Sequence, residues 1–193
     1  MHAGAFTLKN AWKGNQLVKK KYLVLTALSA VIVVLDQIVK MYVHSHFQLG
    51  ESTPVWPGFF NITYVRNFGA AFGFLHQSQP TFREIFFLTM PPIALVIILV
   101  ILRGVKDNDW PQILALSSVF GGAIGNYIDR VRFRYVIDFL DFHWRETYTY
   151  PAFNVADMAI VIGVGVLLFL MYLDGRKQTQ NSSPVQSASG DAS

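Results

Sequence analysis

The sequence predicts a membrane protein of mainly α class, with four transmembrane helices, a small extracytoplasmic β-strand region and a short interfacial helix. Three observations carry this. Of 193 residues, 52% are hydrophobic and 15% aromatic, more apolar material than one soluble core needs. Uncharged apolar runs of bilayer-spanning length recur along the chain. The polar residues that interrupt those runs all fall near one end of the spans.

The first span is placed at about 22–43. Its uncharged part, Tyr22 to Leu35, is only 14 residues long and follows Lys19, Lys20 and Lys21. That is also the layout of a secretory signal, with Leu28, Ser29 and Ala30 as a small-residue cleavage site. Counted through Asp36 and Lys40 to Val43, the segment instead spans. The second span, about 83–103, holds 18 uncharged residues between Glu84 and Arg103, and the third, about 110–130, holds 19 between Asp109 and Asp129. The fourth, about 152–173, takes Asp157 into its first turns and is expected to stop at Leu173, before Asp174, Gly175, Arg176 and Lys177.

Between the first two spans, Phe59 to Val65 alternates β-branched and aromatic residues as a strand does. The following stretch, Asn67 to Leu75, has the pattern of a short interfacial helix. Residues 1–18 form a cytoplasmic tail, residues 19–175 the membrane domain, and residues 176–193 a second cytoplasmic tail. That last tail is expected to be disordered, since it is mostly Gln, Ser, Ala, Asn and Gly.

Lysine and arginine set the orientation. Nine of the sixteen lie in the two tails and in the link after the second span, which places both termini in the cytoplasm. Arg66, Arg132, Arg134 and Arg145 fall on the opposite side, a departure from the rule that invites a functional cause. The net charge of +4 is thus topological, and no nucleic-acid partner is expected. The absence of cysteine excludes disulfides, thiolate metal sites and a cysteine nucleophile.

With that topology, Asp36 and Lys40, Asn126, Asp129 and Arg130, and Asn154 and Asp157 share one membrane depth near the outer leaflet. Each ionisable group inside an apolar helix costs about 2.5–3.5 kcal/mol, so several at one level imply a shared polar cavity. Asp36 precedes Lys40 by four residues, the favourable orientation for an ion pair. Neither G-x-S-x-G nor S-x-x-K is present, nor is H-E-x-x-H. Carboxylates remain. Two sharing a proton in a poorly solvated site can divide labour between activating water and donating to a leaving nitrogen.

Five segments, in order, carry a resemblance: LDQIVK from Leu35, RNFGAAFG from Arg66, GNYIDR from Gly125, VIDF from Val136 and FNVAD from Phe153. Together they resemble the lipoprotein signal peptidase family, also called signal peptidase II, which belongs to the intramembrane aspartyl proteases. The resemblance implies that Asp138 and Asp157, nineteen residues apart, are the catalytic pair. It implies substrate-binding positions at Asn67 and Arg130, with Asn126 and Asn154 beside them. Asp129, Gly69 and Ala156 match positions that shape the site, and Asp36 matches the first-helix acid, with Lys40 as its structural partner. It further implies cleavage of diacylglyceryl-modified prolipoproteins before the lipidated cysteine, with no metal or cofactor. The setting it implies is the bacterial inner membrane, with the enzyme a monomer among membrane lipids.

Other readings of these residues are open at this level. Asn154 can be only a helix cap, Asp141 competes with Asp138, and His143 beside Asp138 and Asp141 suggests a metal. Gly121, Gly122 and Gly125 read as close helix packing. A proton or ion transporter, a non-catalytic assembly subunit and a different intramembrane aspartyl protease are the rival functions.

Overall fold

The computed structural model describes residues 19–69, 79–144 and 148–181. Among them are four helices, α1 (Lys20–His46), α2 (Pro80–Gly104), α3 (Trp110–Phe133) and α4 (Val155–Asn181), and four strands, β1 (Ser52–Trp56), β2 (Phe60–Asn67), β3 (Val136–Trp144) and β4 (Tyr148–Thr149). The segment expected to form the interfacial helix lies mostly outside the described residues.

Three helices, α1, α2 and α4, are long and apolar enough to cross a membrane. Their outward residues, such as Val31, Ile38, Ile97, Val100, Val161 and Phe169, are exposed, as lipid-facing side chains are. The third expected span, α3, has the length, 24 residues, but falls short in apolarity. Gln112, Ser117, Ser118, Asn126 and three glycines interrupt it, and its buried face makes it the helix against which the others pack. Small residues set how close they come. A Cβ on Gly121 would lie 2.8 Å from the Ser29 Cα, and one on Gly122 would collide with the Ala156 carbonyl. Ser29 Oγ donates to the Ser117 carbonyl at 3.0 Å across the same seam. Within the candidate signal-cleavage site, Ser29 is thus buried in a helix–helix contact, and α1 continues unbroken to His46.

At the end of the bundle nearest the amino terminus, Leu25, Ile98, Leu102, Val105, Ile113 and Leu116 form an apolar cluster. Lys21 closes it. Its Nζ donates to the carbonyls of Val105 at 2.6 Å and Arg103 at 3.1 Å and pairs with Asp107 at 3.3 Å, satisfying the free carbonyls that end α2. One of the basic residues read as a topological charge is therefore a buried cap.

The fourth helix runs on past the expected stop at Leu173 to Asn181. Hydropathy ends there but helix propensity does not: Arg176, Lys177 and Gln178 are good helix formers, and Lys177 pairs with Asp174 at 3.6 Å.

At the opposite end, β1, β2 and β3 form an antiparallel sheet, with the two-residue β4 added on β3. Val43, Tyr64, Ile137 and Phe139 seat it on the end of α1. Val65 stands opposite Asp138 and Asn67 opposite Val136, after an irregularity between Ile62 and Val65. The Phe153 carbonyl accepts the amides of Phe139 and Leu140 at 3.0 and 2.8 Å. That pairing brings the start of α4 beside β3.

Candidate active site

Asp138 lies within β3 and is 1% exposed. Strand alternation turns Asp141, three residues on, to the other face. There it lies 3.9 Å from His143 Nδ1, so the competing acid leaves the cavity. Both oxygens of Asp138 are held by amides: Asn154 Nδ2 donates to Oδ1 at 2.7 Å and Asn67 Nδ2 to Oδ2 at 3.0 Å. The Asn67 amide can point only this way, because its Oδ1 accepts the Gly69 N–H at 2.8 Å. Gly69 makes that turn at φ +97°, and a Cβ there would collide with the Phe87 ring.

Asp157 sits in the first turn of α4, where the positive end of the helix favours a carboxylate. Asn154 caps this turn reciprocally: its Oδ1 accepts the Asp157 N–H at 2.9 Å, while its own N–H donates to Asp157 Oδ2 at 3.2 Å. The other carboxylate oxygen accepts Asn126 Nδ2 at 2.7 Å. Asn154 is thus both the helix cap and, through its Nδ2, the link to Asp138. The two readings of it describe one residue.

Burial pushes the Asp138 carboxyl up to about 7, and the neighbouring Asp157 charge adds to the rise; the amides of Asn67 and Asn154 and the Lys40 charge oppose it. Such a group exchanges its proton near neutrality.

Behind the aspartates lies a buried ionic cluster. Lys40 Nζ contacts Asp36 Oδ2 at 2.7 Å, Asp129 Oδ2 at 3.0 Å and Asn126 Oδ1 at 2.9 Å, and Lys40, Asp36 and Asp129 are all fully buried. Asp36 pairs with Lys40, and its second oxygen accepts the Ala156 N–H at 2.9 Å. Asp129 accepts the Ile137 N–H at 3.0 Å, tying α3 to the residue before Asp138. Gln37 donates to Asp129 Oδ1 at 2.8 Å and to the Gly125 carbonyl at 3.1 Å. The sequence reading passed over Gln37, although it stands inside LDQIVK.

Arg130, half-buried, donates to the Asn126 carbonyl at 3.2 Å and stacks on Phe87, with Cζ 5.2 Å from the ring centre. A groove of about 350 Å³ starts at Asp157 and runs along α4, lined by Tyr150, Phe153, Met158, Val161 and Ile162. The structure therefore brings together all the expected positions, from α1, β2, α3, β3 and α4. Among the described residues, no group of three His, Asp or Glu converges in the manner of a metal site.

The fold is that of a bacterial membrane enzyme. One solved structure of such an enzyme, determined by the in meso method at 2.3 Å, superposes with a TM-score of 0.70 at 31% identity, covering 84% of this chain and 93% of that one. A second, at 1.9 Å, gives a TM-score of 0.65 at 33% identity, covering 76% and 91%. The signal peptidase II family profile matches residues 28–173. The lipoprotein signal peptidase of Geobacter metallireducens is 43% identical over 86% of this chain and all of its own length. That of Syntrophus aciditrophicus is 48% identical over 84% of this chain and 99% of its own. The chain belongs to the signal peptidase II family, and it is a protease.

Proposed function

We propose that this protease is a lipoprotein signal peptidase that cuts by an aspartyl mechanism, with Asp138 and Asp157 as the catalytic pair. Its substrates are diacylglyceryl-modified prolipoproteins, cut before the lipidated cysteine. The observation that carries the mechanism is that one residue, Asn154, holds both carboxyls, donating from Nδ2 to Asp138 Oδ1 in β3 and from its backbone N–H to Asp157 Oδ2 in the first turn of α4. A carboxyl that exchanges its proton near neutrality, beside a second carboxyl, meets the requirement for hydrolysis, in which the two act in opposite protonation states. The ionised member takes a proton from water as it attacks the carbonyl carbon, and the protonated one donates to the leaving nitrogen.

Asn67 and Arg130 flank the pair and supply donors to the peptide backbone. The apolar groove leading from Asp157 along α4 suits the lipid-embedded part of the substrate. In this reading all four helices span the bacterial inner membrane, α3 being the polar member sheltered by the others. Both termini are cytoplasmic, and the site lies near the outer leaflet of a monomer surrounded by lipid.

A transporter would need a polar route to the other face, but the apolar cluster of Leu25, Leu102, Ile113 and Leu116 occupies it. A non-catalytic assembly subunit would keep its function without the carboxyls. The experiment is cleavage of a lipidated prolipoprotein by the purified protein, with Asp138 and Asp157 each replaced by Asn. Loss of cleavage in both folded variants supports the aspartyl mechanism, and full activity in either overturns it.

A further inference from the structure

The outward-side arginines are not explained by topology or by the aspartate pair. One of them, Arg134, meets Arg83 and Arg130 at a cleft of about 220 Å³ between the end of α3 and the start of α2, lined also by Glu84, Phe68 and Phe87. Arg134 takes the left-handed position that closes α3, at φ 66°, and its Nε lies 3.4 Å from Glu84. Arg83 stacks at 5.8 Å over Phe68, as Arg130 does over Phe87. Among the described residues neither Arg83 nor Arg130 has a carboxylate at ion-pair distance. Three arginines and one glutamate therefore line a small cleft, and Arg130 joins it to the aspartate pair, since it donates to the carbonyl of Asn126, whose Nδ2 in turn donates to Asp157.

Hydrolysis at the aspartate pair creates an anion beside Arg130. Water's oxygen bonds to the carbonyl carbon, the C–N bond breaks, the amine leaves with a proton, and the acyl side, the signal peptide, becomes a carboxylate. The uncut peptide bond is neutral, so guanidinium groups beside it favour product over substrate. A carboxylate also matches the planar fork of arginine.

We infer that the arginine cleft binds the carboxylate terminus of the released signal peptide, with Arg83 and Arg134 extending the hold of Arg130. The site makes the enzyme sensitive to its own product and sets how fast the cut peptide leaves. This rests on Asp138 and Asp157 being the cutting site.

The test uses the full chain in detergent, cleaving a lipidated prolipoprotein, with two synthetic copies of that substrate's signal peptide as inhibitors. One copy ends in a free carboxylate and the other in a carboxamide. The acid form is expected to inhibit about tenfold more strongly, and added salt to narrow the gap. In Arg83→Gln combined with Arg134→Gln the gap should shrink to about twofold. The ratio is read within each variant, so changes in turnover do not enter it. If the double variant does not fold, Arg83→Gln alone should narrow the gap by a measurable part.

Equal inhibition by acid and amide overturns the inference, as does a gap that salt and the arginine substitutions leave unchanged. So does relief of inhibition by anionic phospholipid to the same extent for both peptides, which would assign the cleft to a headgroup. Failure of the aspartate reading shows itself separately, as an Asp138→Asn protein that still cleaves.

Discussion

Lys40 Nζ lies 2.9 Å from Asn126 Oδ1, and this contact decides which way the Asn126 amide faces. With its oxygen held by a cation, Asn126 presents only Nδ2 to Asp157, at 2.7 Å. The buried lysine therefore acts on the site at one remove, by orienting the donor that holds a carboxylate. Lys40→Met should leave Asp36 and Asp129 facing each other without their cation, at a cost of about 3–5 kcal/mol. The expected outcome is a clear drop in thermal midpoint in detergent together with lost cleavage. In Lys40→Met with Asp36→Asn and Asp129→Asn, the stability should largely return, because no unpaired charge remains. If the triple variant is no more stable than the single one, the cluster is not held by charge balance.

The two aspartates should be separable from their neighbour by substitution. Asp138→Asn and Asp157→Asn each remove a proton-transfer group, which contributes about 10²–10⁴-fold in rate, and both should fold and insert normally. Asp141→Asn should stay within about threefold of the parent, as its side chain faces His143 and not the cavity. An inactive Asp141→Asn beside an active Asp138→Asn would reverse the assignment.

Asp138 also makes the pH profile informative. Its carboxyl is raised by burial to about 7, so it is protonated below that pH and ionised above it. If it must donate a proton, kcat/KM should fall as pH rises through about 7. The Asn67 amide favours the ionised form by donating to it, so Asn67→Ala should move this alkaline limb to higher pH. Removing the negative neighbour in Asp157→Asn acts in the opposite direction on Asp138, readable by carboxyl titration since that variant does not turn over. An alkaline limb that does not move in Asn67→Ala would mean that another group controls it.

What the sequence made readable follows from the kind of information each feature carries. The apolar helices were visible because lipid-facing runs are continuous, and β2 because its residues alternate. The polar level shared by Asp36, Asn126 and Asp157 followed from helix spacing once the spans were placed. Contacts between residues far apart in the chain were not visible. Lys21 caps a helix ending 82 to 84 positions away, and nothing in its local pattern distinguishes it from Lys19 or Lys20. Asp138 and Asp141 are equivalent by composition; in the sequence only the VIDF resemblance separates them, and in the structure strand alternation in β3 does so. The end of α4 was misplaced because hydropathy marks where apolar character stops, which is not where helix stops.

Phe87 was likewise missed, being one of many aromatics in an apolar helix. It stands between the Gly69 turn, which leaves no room for a Cβ, and the Arg130 guanidinium 5.2 Å from its ring centre. The first half of that contact sets Asn67 through the Gly69 N–H, and the second sets Arg130. Replacing the ring with a branched aliphatic keeps the volume roughly constant but loses the flat face on which a guanidinium stacks, an interaction of about 0.5–2 kcal/mol. Phe87→Leu should therefore raise KM for the lipidated substrate about threefold to tenfold with a smaller change in kcat, and Phe87→Tyr should restore it. Gly69→Ala should be more damaging, since it combines a left-handed backbone with a collision against Phe87. Pairing it with Phe87→Ala should recover part of the loss by opening space for the added methyl. Cleavage kinetics of the four variants check this, and a Phe87→Leu enzyme with unchanged KM would show that Arg130 keeps its place without the ring.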